Sequence, residues 1–342
     1  MKKKLGRLTS VLFILFISAI FTGCSFRYSV GTGVNFLRKE DAKEYKVDKA
    51  VVKPITTIVI DTDLAEVQLI EADDYYVEID YLYWNEEPEY SLEEGKLYFN
   101  DKNAFPNSYS INFHLNNKIT IYLPEATELK DLVIKNSSGD VSISSFVAND
   151  LNLSVSYGDL LIKNAAAREA DISLSSGKSS ISKFQAGKLK YSNSYGNAEF
   201  TDINTGESLL ASDAAFQDIN ISMSSGNVDI NNLSVEDLDI SNSYGDVTCT
   251  DITAEDASAS LSSGRFKVKN AEFEALDVSN SYGDVDLNLI GLASDYIMNL
   301  STSYGKIQVS DKKYEDHIIL DYGGSKRITA DLSSGNVKIT FQ

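Results

Sequence analysis

The sequence predicts an all-β fold: a single-domain β-solenoid of about 19-residue coils, with a capping insertion near the N-terminus and a cap at the C-terminus. Three observations predict it. A short phrase, Ser, then Ser or Tyr, then Gly, then Asp, Asn or a base, recurs along the chain, most often every 19 residues. Between its copies the apolar residues alternate with polar ones, as in a strand with one buried face. No apolar pattern of helical period interrupts them over more than two hundred residues.

In chain order, residues 1–23 read as an export signal. Met1 to Arg7 is basic, and an apolar run of about 14 residues follows, short of the roughly 20 that a membrane-spanning helix needs. Phe21-Thr22-Gly23-Cys24 resembles the bacterial lipoprotein signal, which implies acylation of the Cys24 thiol and removal of everything before it. Two or three acyl chains would anchor the protein stably to the extracytoplasmic face of the cell membrane. Residues 24–54, polar and charged with Gly31 and Gly33, are expected to be a tether.

Residues 55–131 read as the first coils with a capping insertion. Ile58-Val59-Ile60, Val77 to Tyr81 and Lys118 to Leu123 alternate as strands, while Trp84 to Phe113 is irregular and rich in aromatics and acids. Residues 132–342 are the repetitive solenoid. Its turn glycines are Gly139, Gly158, Gly177, Gly196, Gly226, Gly245, Gly264, Gly283, Gly305 and Gly335, with Gly323 as a further copy. Glycine accepts a positive φ without strain, and a neighbouring Asp or Asn can bond the local backbone. The inward set after Gly226 is Val228, Ile230, Leu233, Val235, Leu238 and Ile240; after Gly139 it is Val141, Ile143, Phe146, Ala148, Leu151 and Leu153. Each unit is expected to hold two short strands, the second turn falling near Asn149-Asp150 or Asn231-Asn232. The longer interval from Gly196 to Gly226 places a degenerate turn or an insertion at Gly206 to Phe216, with Ala215 where a glycine is due. Ser-Ser-Gly and Ser-Tyr-Gly phrases alternate, which a 38-residue coil would also produce, although each 19-residue half is already a complete unit. Irregular spacings and Lys312, Lys313, Lys326 and Arg327 mark the C-terminal cap.

Cys24, the phrase Ile119-Thr120-Ile121-Tyr122-Leu123-Pro124 leading into Leu132-Val133-Ile134, and the chain of Ser-Ser-Gly and Ser-Tyr-Gly turns together resemble the bacterial adhesin-like domain of unknown function. The likeness covers roughly Thr56 to Phe341. It implies a β-helix displayed on the envelope, and it brings no catalytic residues with it. Some similar proteins accompany envelope-stress regulatory systems, so an accessory or sensor role is the alternative that the resemblance implies.

Charge narrows the partners. The formal net charge is −19, and loss of Lys2, Lys3, Lys4 and Arg7 with the signal leaves 27 bases against 50 acids, or −23. Such a field repels phosphate backbones, so no nucleic-acid partner is expected. Chemistry has little material. His114 and His317 are the only imidazoles, Cys249 reads as a small core residue, and no serine nucleophile motif stands out. Asp140, Asp159, Asp246 and Asp284 recur after the turn glycine, but Lys178, Arg265 and Lys306 share the slot, so turn chemistry explains them better than a calcium row. Adjacent acids such as Asp73-Asp74, Glu86-Glu87 and Glu93-Glu94 read as solvated loop charge, leaving a polysaccharide-active enzyme as the least favoured reading. No cofactor or metal is expected. The protein reads as a non-catalytic, lipid-anchored partner of an envelope polymer or protein. Its first candidate contact surface is Tyr83, Trp84, Tyr90 and Tyr98, because no periodicity explains those aromatics. Tyr157, Tyr195, Tyr244, Tyr282, Tyr304 and Tyr322 are expected mainly to fill the core, alternating with serine to balance volume, and otherwise to form an outward ridge.

Overall fold

The computed structural model describes residues 35–342 apart from 108, 112, 114, 126 and 206–216. Cys24 and the export signal lie outside the described residues, as do His114 and the segment Gly206 to Phe216 with Ala215. The described chain is all-β, with only two short 3₁₀ turns, Lys39–Asp41 and Ala293–Asp295, and it forms a β-solenoid. Its strands stack in parallel. Leu132 pairs with Leu151, Leu151 with Ala170 and Ala170 with Leu189, and the same offset runs from Asp218–Ser225 through Val228–Tyr244 and Val247–Ser263 to Phe266–Tyr282.

The burial phase explains why the chain closes into a coil. A strand shows alternate side chains to one face, so two consecutive exposed residues mark a corner. In Val228–Tyr244 the exposed pairs are Asn231-Asn232 and Glu236-Asp237, and the glycine phrase supplies a third corner. Each unit therefore has three sides rather than the two strands expected. The inward set was right: all twelve residues named after Gly139 and Gly226 are buried. What the two-strand count missed was the double slip in their phase, between Ile230 and Leu233 and again between Val235 and Leu238. The corner near Asn232 is left-handed in successive units, at Ser145, Asn164, Lys183, Asp202, Asn232, Asp251 and Asn270, with φ between 49° and 59°. Asn and Asp tolerate that conformation best, and they hold most of the column.

The glycine corner is tighter still. A Cβ built on Gly245 would lie 2.1 Å from the Gly226 carbonyl oxygen, and every turn glycine from Gly139 to Gly283 meets its neighbour's carbonyl in the same way. Gly323 does not belong to this column, since nothing lies within 4 Å of its added Cβ.

Across Gly206 to Phe216 the flanking strands pair with an offset of 30, as in Lys188 with Asp218 and Ile203 with Leu233, and the nineteen-residue register then resumes. The extra chain is thus an insertion rather than a degenerate turn.

At both ends spatial order departs from sequence order. Thr57–Thr62 lies between Lys96–Asn100 and Thr127–Ser138, and Glu66–Ala72 lies between Lys118–Pro124 and Val141–Ser144. At the other end Lys326–Ser334 is inserted between Phe266–Tyr282 and Tyr296–Tyr304, and Val337–Phe341 between Val285–Leu289 and Ile307–Val309. Lys326 consequently sits on an inner rung. Its ammonium lies 2.5 Å from Glu272 and 3.7 Å from Glu274, where an exposed edge guard had been expected. The expected tether also differs: Lys43–Val51 is a strand, antiparallel to Tyr76–Tyr83, which itself pairs antiparallel with Lys118–Pro124.

Candidate functional site

The tyrosines that precede the turn glycines form the most ordered surface feature of the molecule. Expected mainly as core filler, they face solvent: Tyr157, Tyr195, Tyr244, Tyr282 and Tyr304 are 55, 57, 65, 67 and 80% exposed. The reason lies two residues earlier. The space beneath the corner is taken by Asn193, Asn242 and Asn280 before Tyr195, Tyr244 and Tyr282, by Val155 before Tyr157 and by Thr302 before Tyr304, all buried. The Asn242 side-chain amide donates to the carbonyls of Gly226 at 3.0 Å and Gly245 at 3.1 Å. Asn193 and Asn280 donate likewise to Gly177 at 3.0 Å and Gly264 at 2.8 Å. Corner carbonyls that no strand can satisfy thereby gain a donor, and the ring that follows is left outside. The residue trading places with leucine in the core is therefore asparagine: Asn242 stacks between Met223 and Leu261.

The ridge alternates with serine rung by rung. In spatial order it reads Ser138, Tyr157, Ser176, Tyr195, Ser225, Tyr244, Ser263, Tyr282, Ser334, Tyr304. Tyr282 and Tyr304 are consecutive copies in sequence. The inserted strand Lys326–Ser334 brings Ser334 between them and restores the alternation. Tyr322, in the loop after His317–Asp321, is exposed but stands outside this column.

Beside the rings runs the acid and amide column. One Asp140 oxygen accepts the Asp159 backbone N–H at 2.8 Å, Asp159 accepts that of Lys178 at 2.8 Å, and Asp246 accepts that of Arg265 at 2.8 Å. Asn197 accepts the N–H of Asn227 at 3.0 Å, and Asp284 that of Asn336 at 2.8 Å. These side chains accept from the backbone of the next rung, where the sequence predicts a bond to their own turn. Among the described residues no cluster of His, Cys, Asp or Glu could hold a metal ion.

The aromatic cluster favoured from sequence is distributed differently. Tyr83 is buried and offers no contact surface. Trp84 is half-buried; its indole N–H donates to the Arg38 carbonyl at 2.8 Å and its ring packs on Phe105 and Phe113. Tyr90 and Tyr98 are half-buried too. The strand Lys43–Val51 lies against Tyr83, with Lys43 paired to it and its ammonium 5.5 Å from the ring centroid.

Asp101 and Cys249 are buried titratable groups that serve the fold. Asp101 accepts hydrogen bonds from Thr62 Oγ1 at 2.6 Å, from the Asp63 N–H at 2.9 Å and from the Tyr81 hydroxyl, and so ties three segments together. Burial pushes its carboxyl above the usual range, although those donors pull the other way. Burial pushes the Cys249 thiol up to about 12, in keeping with a core residue stacked between Ile230 and Val268. The acids of the loops serve local bonds: Asp73 accepts from the Tyr76 hydroxyl, Asp74 from the Tyr75 N–H and Glu86 from Asn103. Exposed His317 shares a hydrogen bond with Asn299.

The sequence matches the family profile Toastrack DUF4097 over residues 55–213 and again over 208–342. The chain belongs to the Toastrack DUF4097 family. The resemblance drawn from the turn phrases is thereby confirmed. No curated protein matches the sequence. Among solved structures, this Toastrack chain is similar to a candidate adhesin from Bacteroides fragilis NCTC 9343, at 13% identity, covering 90% of this chain and 100% of that one with a TM-score of 0.33. It is similar also to a candidate lipid-binding protein from Parabacteroides distasonis ATCC 8503, at 13% identity, 89% and 99% coverage and a TM-score of 0.39. A candidate adhesin from Parabacteroides merdae ATCC 43184 gives 10% identity, 90% and 99% coverage and a TM-score of 0.35. At these scores the family assignment rests on the sequence match.

Proposed function

We propose that the protein is a non-catalytic interaction module of the bacterial cell envelope, anchored through acylated Cys24, whose solenoid of nineteen-residue coils, capped at both ends, presents the tyrosine-serine ridge to a surface polymer or protein. One observation carries the reading: the alternation of ring and hydroxyl is kept in spatial order where sequence order breaks it. The rings lie outside the core, and the buried residues two places before them alternate in step, Asn280, Leu332 and Thr302 following one another across the same inserted strand. A surface pattern maintained across an inserted strand is what a repetitive partner would require.

The test uses the acylated full chain in lipid vesicles, sedimented with isolated cell-wall polymers. The wild-type chain is expected to pellet with the wall fraction, and a Tyr195→Ser/Tyr244→Ser/Tyr282→Ser variant of unchanged melting temperature to stay in the supernatant. Equal pelleting of the two would sink the reading, as would a wild-type chain that never pellets. Cys24→Ser is expected to move the protein out of the membrane fraction of cells.

A further inference from the structure

We infer that the ridge is a binding face for a linear, uncharged polysaccharide of equatorially linked pyranose units. This deepens the function proposed above and rests on it. The first support is spacing. Neighbouring rungs lie about 4.8 Å apart, so rings on every second rung recur at about 10 Å. In an extended chain of equatorially linked pyranoses each unit is turned over relative to the last. The same sugar face therefore returns every second unit, over close to the same distance. One ring per two rungs thus meets one face per two sugars, in register along the whole ridge.

The second support is the chemistry around each ring. Tyrosine presents an apolar face with a polar tip, suited to the C–H face and hydroxyl rim of a pyranose. Asp159, Asn197, Asp246 and Asp284 stand one residue beyond the glycine that follows Tyr157, Tyr195, Tyr244 and Tyr282; the first three are exposed and Asp284 is half-buried. Each is held in place by the backbone N–H it accepts from the next rung. Each has further hydrogen-bonding capacity, a second carboxylate oxygen or an amide nitrogen, for ligand hydroxyls. Between the rings the serine side chains are short and leave a notch for the intervening sugar. The array is fixed by the stack, so the ordering cost that flexible binding loops pay is already met, and successive rings add avidity.

Charge selects within the class. A mature chain at −23 repels polyanionic glycans, which leaves neutral ones.

The experiment titrates the full chain in detergent micelles, by calorimetry, with β-1,4-linked N-acetylglucosamine and glucose oligomers of two, four and six units, and with α-1,4-linked glucose hexamers as the control geometry. Affinity is expected to rise with each added pair of units and to favour the β-linked hexamers over the α-linked one by about tenfold or more. Tyr195→Ala/Tyr244→Ala is expected to lose at least about tenfold, while Tyr195→Phe/Tyr244→Phe, which keeps the stacking faces, stays close to wild type. Circular-dichroism melting of each variant separates lost binding from lost folding. The inference is overturned by absence of binding to every β-linked oligomer, by equal affinity for the α-linked hexamer, or by undiminished binding in the alanine variant. Self-association that the alanine variant abolishes, with no glycan binding, would reassign the ridge to a second copy of the chain. Pelleting with wall polymers that none of the oligomers competes would overturn this inference and leave the proposed function standing.

Discussion

Replacing Gly245 by alanine tests the turn column directly. The added Cβ would sit 2.1 Å from the Gly226 carbonyl oxygen and 2.7 Å from its carbon, at a φ of +133°. Backbone strain alone would cost about 1–3 kcal/mol. Relieving the clash requires the two rungs to part by more than an ångström at the corner, which strains four hydrogen bonds there. These are Gly226 N–H to the Tyr244 carbonyl, Val228 N–H to the Asp246 carbonyl, Asp246 N–H to Asn227 Oδ1, and the one that Asn242 donates to the Gly226 carbonyl. At about 1 kcal/mol each, losing two or three of them brings the total to about 3–6 kcal/mol. Gly323→Ala is the matched control, with a φ of +88° and nothing within 4 Å, so only the strain should remain. Urea unfolding followed by circular dichroism gives both midpoints. Solenoids can unfold in segments, so the midpoint and the breadth of the transition should be read together. If Gly245→Ala unfolds within about 1 kcal/mol of wild type, or if Gly323→Ala is equally damaging, the close approach of rungs at the glycine corner is not what those residues serve.

The buried asparagine column predicts an order of variants. Asn242→Leu should cost less than Asn242→Ala, about 1 against about 2 kcal/mol in urea midpoint, because Leu261 already fills the same place one rung on. Asp101 gives a pH dependence. Its folded pKa is raised chiefly by burial, so the stability it contributes is present below the ordinary carboxylate pKa and is lost as pH rises through the raised value. Denaturant midpoints measured between mild acid and neutrality should therefore fall more steeply for wild type than for Asp101→Asn. Cys249, with its thiol at about 12, should resist alkylation at neutral pH in the folded protein and react in denaturant, as peptide mass spectrometry would read.

Much of the fold was legible because it is local. Period-two burial and the glycine phrase are set by adjacent residues, so the inward positions and the turn column could be read from a single unit. The third side of the coil was legible too, in the double phase slip between Ile230 and Leu233 and between Val235 and Leu238, but only to a reader who counts steps as well as apolar residues. The direction of the tyrosines was not legible. It depends on what fills the space beneath each corner once the rungs stack: Asn242 reaches carbonyls of both its own corner and the one before, and Val155 and Thr302 take the same place before Tyr157 and Tyr304. The end topology was hidden for a related reason: in sequence, the insertion of Lys326–Ser334 leaves only irregular glycine spacings behind. The aromatics around Trp84 were noticed because they break the period. Breaking the period does not leave them free, however, because Tyr83 is buried and Trp84 packs on Phe105 and Phe113.

The inserted C-terminal strands also bear on how the molecule is made and unmade. Arg327 aligns beside Ala275, a partner fifty-two positions upstream, while residues translated before it occupy the seat beyond. Maturation therefore cannot finish by adding one layer after another as the polypeptide emerges. A gap must be held open, or reopened, until the last segment arrives to fill it. The same arrangement protects the product, because peeling away Lys326–Ser334 would mean drawing out a middle plank with neighbours bonded on both flanks.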